Sequence, residues 1–196
     1  MEKILIATHN QHKIKEFKRM LEGYVPVILT LKDFDDHEEV VEDQDTFSKN
    51  ALKKAMHFAK KYQLATLSDD SGLCVDALHG RPGIYSARYS GAGDDENNKK
   101  VLKEMENQEN RHASFVAALV LAYPDGRYHA VEGTVSGEIS HTLKGDFGFG
   151  YDAIFYYPPI SQTFAEIDPR LKNELSHRGQ ALSKLKEYLD DHFDNK

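Results

Sequence analysis

Two adjacent carboxylates, Asp69 and Asp70, lie within Ser68-Asp69-Asp70-Ser71-Gly72, directly after the short apolar run Leu64-Ala65-Thr66-Leu67. That run has strand length. The acids are therefore expected at its C-terminal end, where a strand enters a glycine turn and where open α/β sheets keep their ligand crevices. Like charges packed side by side repel, so a fold that places them there needs cations nearby. A divalent metal with hard oxygen ligands, Mg2+ or Mn2+, would supply them and would suit a phosphate-bearing ligand. A solvated acidic turn is the bland alternative, because Asp, Ser and Gly are ordinary turn residues. The pentapeptide alone does not choose between the two.

The rest of the chain narrows the choice. A length of 196 residues suggests one domain, or one divided into two lobes. A formal charge of −7 opposes a nonspecific nucleic-acid binder, which would need a basic face, and any anionic ligand must meet local cations. The single cysteine, Cys74, cannot form an internal disulfide and reads as a small core residue between Leu73 and Val75. Met1 to Ala7 is too short an apolar run for a signal peptide, and no stretch reaches membrane-spanning length. A cytoplasmic location with no membrane partner is the expectation.

Lys3 to Thr8 reads as a buried strand, followed by a helix with Ile14, Phe17, Met20 and Leu21 on one side. A second strand is expected over Pro26 to Leu31, and a helix from Asp45 or Thr46 carrying Phe47, Ala51, Ala55 and Phe58. Asp94 is expected to cap a polar helix. Phe115 to Ala122, the turn Tyr123-Pro124-Asp125-Gly126 and Arg127 to Glu132 predict a hairpin, with separate strands over Thr134 to Ile139 and Tyr151 to Tyr156. The last helix is expected from about Gly179. This alternation with antiparallel strands in the middle predicts an α/β protein with a mixed sheet.

Four clusters carry chemistry. Thr8-His9-Asn10-Gln11-His12-Lys13 joins a buried strand to a helix N-terminus, a junction that favours an anion through backbone N–H groups and the helix dipole. It matches neither the Walker loop nor the dinucleotide fingerprint, and a capped helix with a solvated lysine also explains it. Asn50 and Lys54 share a face of the second helix, where amide and ammonium could approach a phosphate or simply face solvent. Glu42 is one of five neighbouring acids, with Glu38, Glu39, Asp43 and Asp45, and nothing local singles it out. Gly145-Asp146-Phe147-Gly148-Phe149-Gly150-Tyr151-Asp152 alternates glycines with rings, as a slot for a purine or as a loop packed by core aromatics. Lys172 and Ser176-His177-Arg178-Gly179 bring donors for phosphate or carbonyl oxygen.

Taken in order, Thr8-x-Asn10-x-x-Lys13, Thr46-Phe47-x-x-Asn50-Ala51-x-x-Lys54-Ala55, Ser68-Asp69-Asp70-Ser71-Gly72-Leu73, Pro82-Gly83-Ile84-Tyr85-Ser86-Ala87-Arg88-Tyr89, Gly148-Phe149-Gly150-Tyr151-Asp152 and Ser176-His177-Arg178-Gly179-Gln180-Ala181-Leu182 closely resemble the inosine triphosphate pyrophosphatase family. Gln44 departs mildly from the pattern, where the family often has glycine. The resemblance implies a single domain over residues 1–196, built as an elongated two-lobed α/β fold around a long mixed sheet with flanking helices. It also implies an active cleft between the lobes, and a homodimer. It implies hydrolysis of dITP, ITP and XTP to the monophosphate and pyrophosphate, which keeps these bases out of DNA and RNA.

By the same resemblance, Asp70 is the catalytic proton acceptor and Glu42 and Asp70 hold Mg2+, with Mn2+ as a substitute. Thr8, His9, Asn10, Gln11, His12 and Lys13 form the triphosphate loop. Ser71, Phe149, Gly150, Tyr151, Asp152, Lys172, His177 and Arg178 contact the rest of the nucleotide, and Asp69, Asn50 and Lys54 support them. With the triphosphate charge partly neutralised by the metal, a water that loses its proton to Asp70 can attack the α-phosphorus in line. Donors from His177 and Arg178 would favour a 6-oxo purine over adenine, whereas rejection of GTP rests on the resemblance alone. Two other readings stay open at this level: a related pyrophosphatase for modified pyrimidine or ordinary nucleotides, and a nucleotide-binding regulatory module without turnover.

Overall fold

The computed structural model describes residues 2–193. One mixed sheet of seven strands runs in the order β2-β1-β3-β4-β5-β6-β7. These are β1 (Lys3–Ile6), β2 (Val27–Thr30), β3 (Thr66–Val75), β4 (His112–Ala122), β5 (Tyr128–Ile139), β6 (Phe155–Tyr157) and β7 (Gln162–Thr163). β1 is parallel to both β2 and β3, whereas β6 is antiparallel to β5 and β7. The helices are α1 (Gln11–Met20), α2 (Phe47–Tyr62), α3 (Asp94–Glu104), α4 (Pro169–Leu175) and α5 (His177–Phe193). The chain divides into two compact units. The first holds Met1–Asp70, Ala117–Gly133 and Arg178–Lys196, and the second Ser71–Val116 and Thr134–His177.

In the first unit the sheet is covered on both faces, as its parallel strands require. Side chains leave a strand alternately to opposite faces. Ile4, Ile6, Leu67, Leu119 and Leu121 accordingly pack with Ile14 and Phe17 of α1 and with Leu182 and Leu185 of α5. Val120 and Ala122 pack on the other face against Ala51, Ala55 and Ala59 of α2, and Leu5 and Ala7 cluster with Phe58 of the same helix. Small alanines on α2 let that helix lie close to the strands. The second unit has its own core, in which Leu73, Val75, Phe115, Ile139, Phe155 and Phe164 are all buried.

Several local expectations are corrected. Ser68 to Gly72 is not a turn, because β3 continues through it to Val75. Ladder pairing overrides the turn propensity of Asp, Ser and Gly, which is a weak local term. Cys74 is half-buried, since Leu73 and Val75 take the core-facing positions on either side of it. Tyr128 to Glu132 and Thr134 to Ile139 belong to one strand, β5, whose interior Gly133 reads locally as a break, and Arg127 lies just before it. Helix α4 was not foreseen, although Asp168 accepts from the Arg170 N–H at 2.7 Å and Pro169 takes the first helical position, an ordinary start signal.

Candidate active site

In the first unit the loop after β1 ends at Asn10, whose Oδ1 accepts from the N–H groups of His12 at 2.9 Å and Lys13 at 3.2 Å. Asn10 therefore caps α1, and Thr8 Oγ1 accepts from the Asn10 N–H at 3.2 Å to tighten the same turn. The imidazole of His9 meets the Glu38 carbonyl at 2.9 Å, and Gln11 reaches back to the His9 carbonyl at 3.4 Å. His12 stays exposed. The capped first turn aims Lys13 at the sheet, where its Nζ lies 2.9 Å from Asp69 Oδ2.

Alternation along β3 separates the two aspartates. Asp69 shares the parity of Leu67 and meets α1 and α5. Its Oδ2 takes Lys13 and, at 3.3 Å, Arg178 Nε, while Arg178 Nη1 is held 2.8 Å from Glu16 Oε2. Burial opposes ionisation of Asp69, but Lys13, Arg178 and Lys54 outweigh it and hold the carboxyl well below the usual range. Asp70 points toward α2 and accepts from Asn50 Nδ2 at 3.0 Å. Burial and the charge of Glu42 push it up to about 6, against partial relief from Lys13, Asn50 and Lys54. The two neighbours thus differ in charge preference, Asp70 being raised and Asp69 lowered, and Asp69 anchors two cations.

The structure also singles out Glu42 among its acidic neighbours. Its Oε1 lies 2.5 Å from Lys54 Nζ, whereas Asp43 is engaged by Lys53, Asp45 by Lys49 and Glu38 by Lys61. Burial disfavours the Lys54 charge, but Glu42, Asp69 and Asp70 outweigh it and raise its pKa. Asn50 and Lys54, four residues apart on α2, bring Asp70 and Glu42 to one helix face, and Asn50 Oδ1 also accepts from the Gln44 N–H at 2.9 Å. Among the described residues no three His, Cys, Asp or Glu side chains gather as a metal group. Asp70, whose charge is opposed by the neighbouring Glu42, nevertheless forms with it a pair of hard oxygen donors that fits Mg2+, an ion usually held by one or two carboxylates together with water and phosphate oxygens.

In the second unit Ser71 follows on β3 and is half-buried. Lys172 and Asp152 form a buried ion pair at 2.6 Å, and the same Asp152 oxygen accepts from the Phe149 N–H at 2.8 Å. The ammonium also lies 4.7 Å from the centroid of the Phe149 ring. Gly148 has φ +78°, and a Cβ there would sit 2.1 Å from Asp152 Oδ2, so this glycine is required for space as well as for conformation. Tyr151 is buried with its hydroxyl donating to the Ser86 carbonyl at 2.7 Å. His177 opens α5, buried and stacked on Phe115 at 4.7 Å between centroids.

The predicted residues therefore fall into two groups, one in each unit. Thr8 to Lys13, Glu42, Asn50, Lys54, Asp69, Asp70 and Arg178 belong to the first, and Ser71, Phe149 to Asp152, Lys172 and His177 to the second. A sequence model of the Ham1 family matches residues 4–188. The chain belongs to the Ham1 family. It is 45% identical over 192 residues to a dITP/XTP pyrophosphatase of Desulforamulus reducens, covering 96% of each chain. It is 41% identical over 203 residues to one of Clostridium tetani, covering 100% of both. The solved structure of the Staphylococcus aureus Ham1 protein superimposes with a TM-score of 0.87 at 38% identity, over 97% of this chain and 99% of that one. The family expected from the motifs is the family found.

Sequence reasoning missed three side chains that bond to predicted residues within their own units. Glu16 holds Arg178, and its only sequence signal is an acid on the polar side of α1. Asp94 does not cap α3, a position occupied by Gly93; its Oδ2 accepts the Gly150 N–H at 2.8 Å instead. Asn98 reads as one polar residue among many, yet it is buried and bonded to the Gly150 carbonyl.

Proposed function

We propose that this protein hydrolyses noncanonical purine nucleoside triphosphates, dITP, ITP and XTP, to the monophosphate and pyrophosphate, and so clears them from the nucleotide pool. The observation that carries the mechanism is the placement of Asp70, a buried carboxylate bonded to Asn50 at 3.0 Å and lying within the influence of Glu42, Lys13 and Lys54. A carboxylate held in this way can accept a proton from a water within hydrogen-bond reach. Asp70 takes the proton of a water as its oxygen bonds to the α-phosphorus, and the bond to the bridging oxygen breaks, so that pyrophosphate leaves with the electron pair. Glu42 and Asp70 would hold Mg2+, which when bound partly neutralises the phosphate charge; Mn2+ meets the same oxygen donors. Lys13, oriented by Asp69, and the N-terminal turn of α1 bind the phosphate chain. No covalent nucleophile is needed.

On the base side, Phe149 with Lys172 and Asp152 supplies a ring platform and fixed polar groups for the purine, and His177 and Arg178 favour a 6-oxo group. Arg178 is already held by Asp69 and Glu16, so its donors come preset in direction. We assign the protein to a homodimer acting in the cytoplasm, without nucleic-acid or membrane partners. No helix among the described residues is long and apolar enough to cross a membrane. The reading is tested with purified protein, dITP, XTP, GTP and ATP, and pyrophosphate detection. Mg2+-dependent release from dITP and XTP, lost in EDTA, is expected. Equal turnover of ATP, or full activity without a divalent cation, would overturn it.

A further inference from the structure

The peptide of Gly150 is gripped from both sides by α3. Its N–H donates to Asp94 Oδ2 at 2.8 Å, and its carbonyl accepts from Asn98 Nδ2 at 2.7 Å. Gly150 has φ +61°, and a Cβ there would meet nothing within 4 Å, so the glycine serves backbone conformation and not space. A segment without a side chain can be anchored only through its peptide, and both of its hydrogen-bonding groups are used. Asn98 is buried and divides its amide between the Gly150 carbonyl and the Asp94 carbonyl at 2.9 Å. Turning the amide over would set its oxygen against two carbonyl oxygens, so the donor orientation is forced. The adjacent Asn97 does a different task, bonding to Ser90 and, more weakly, to the Ser86 and Ala87 carbonyls.

The geometry points to Asp94 and Asn98 as positioning residues for base recognition: they fix the Gly150 peptide and with it the direction of the Phe149 ring. This inference rests on the purine-platform reading above. Residues with a merely structural role would lower stability and affect every ligand alike. Positioning residues for the base instead separate the two ends of the substrate.

Product inhibition reads that separation. Asn98→Asp is isosteric but places acceptors against the two carbonyls, and Asp94→Ala removes the other contact. In both variants the inhibition constant of IMP should rise about ten-fold, the size expected for one lost buried hydrogen bond, while that of pyrophosphate stays within about two-fold. KM for dITP should rise with kcat less affected. Asp94→Asn keeps an acceptor for the Gly150 N–H and should restore the wild-type values. Unchanged IMP inhibition in a folded variant, or equal losses for IMP and pyrophosphate, overturns the inference. If Asn98→Asp fails to fold, Asp94→Ala against Asp94→Asn decides. Wild-type protein that pyrophosphate inhibits but IMP does not would instead refute the purine-platform reading itself.

Discussion

Replacing Asp70 by Asn should abolish turnover and at the same time stabilise the metal-free protein at neutral pH. Burial and the charge of Glu42 raise the Asp70 carboxyl from its ordinary 3.8 to about 6. The folded protein therefore holds this proton more tightly than the unfolded chain does. Stability falls as pH rises from about 3.8 to about 6, and the loss is complete above that window. The difference between the two values corresponds to about 3 kcal/mol. Asparagine keeps the shape and retains an acceptor for the Asn50 amide, so the charge is the main thing removed. For a chain of this size the gain corresponds to roughly 6–12 °C in Tm. The assay is thermal denaturation of both proteins in EDTA at about pH 7.5 and about pH 4, beside pyrophosphate release from dITP with Mg2+. The Asn variant should melt higher at the first pH and alongside the wild type at the second. Equal Tm values at neutral pH, or a less stable variant there, would refute the reasoning that burial and Glu42 load this carboxylate.

Gly148→Ala should raise KM for dITP and cost about 1–3 kcal/mol of stability, because its Cβ would press on the Asp152 carboxylate; steady-state kinetics and a denaturant midpoint check both. Lys172→Met strands Asp152 without its ammonium and should destabilise the protein by about 3–5 kcal/mol, read by urea unfolding. Arg178→Ala should lose discrimination between ITP and ATP, and an unchanged ratio of kcat/KM would remove Arg178 from base recognition. The same variant leaves Asp69 and Glu16 without their guanidinium, so a loss of several kcal/mol in stability is expected as well.

The class of fold and the chemistry were legible in the sequence because they depend on order and local pattern. The periodicity of Ile14 and Phe17 marks α1, and the ordered motifs from Thr8 to Leu182 identify the family. A triphosphate enzyme also needs acids and cations in one chain, and both were visible as residue types. Tertiary structure decided which acid meets which partner. Asp69 and Asp70 are neighbours with the same side chain, but β3 runs on through them, so one meets Lys13 and Arg178 while the other meets Asn50. Glu42 stands out from Glu38, Asp43 and Asp45, each of which also pairs with a lysine of α2, because its partner Lys54 is the least exposed of those lysines and because its charge reaches Asp70. A pKa or an ion pair depends on separations of a few ångströms between residues far apart along the chain. No local pattern carries that distance, and so packing alone set the partners and the charge preference of each acid.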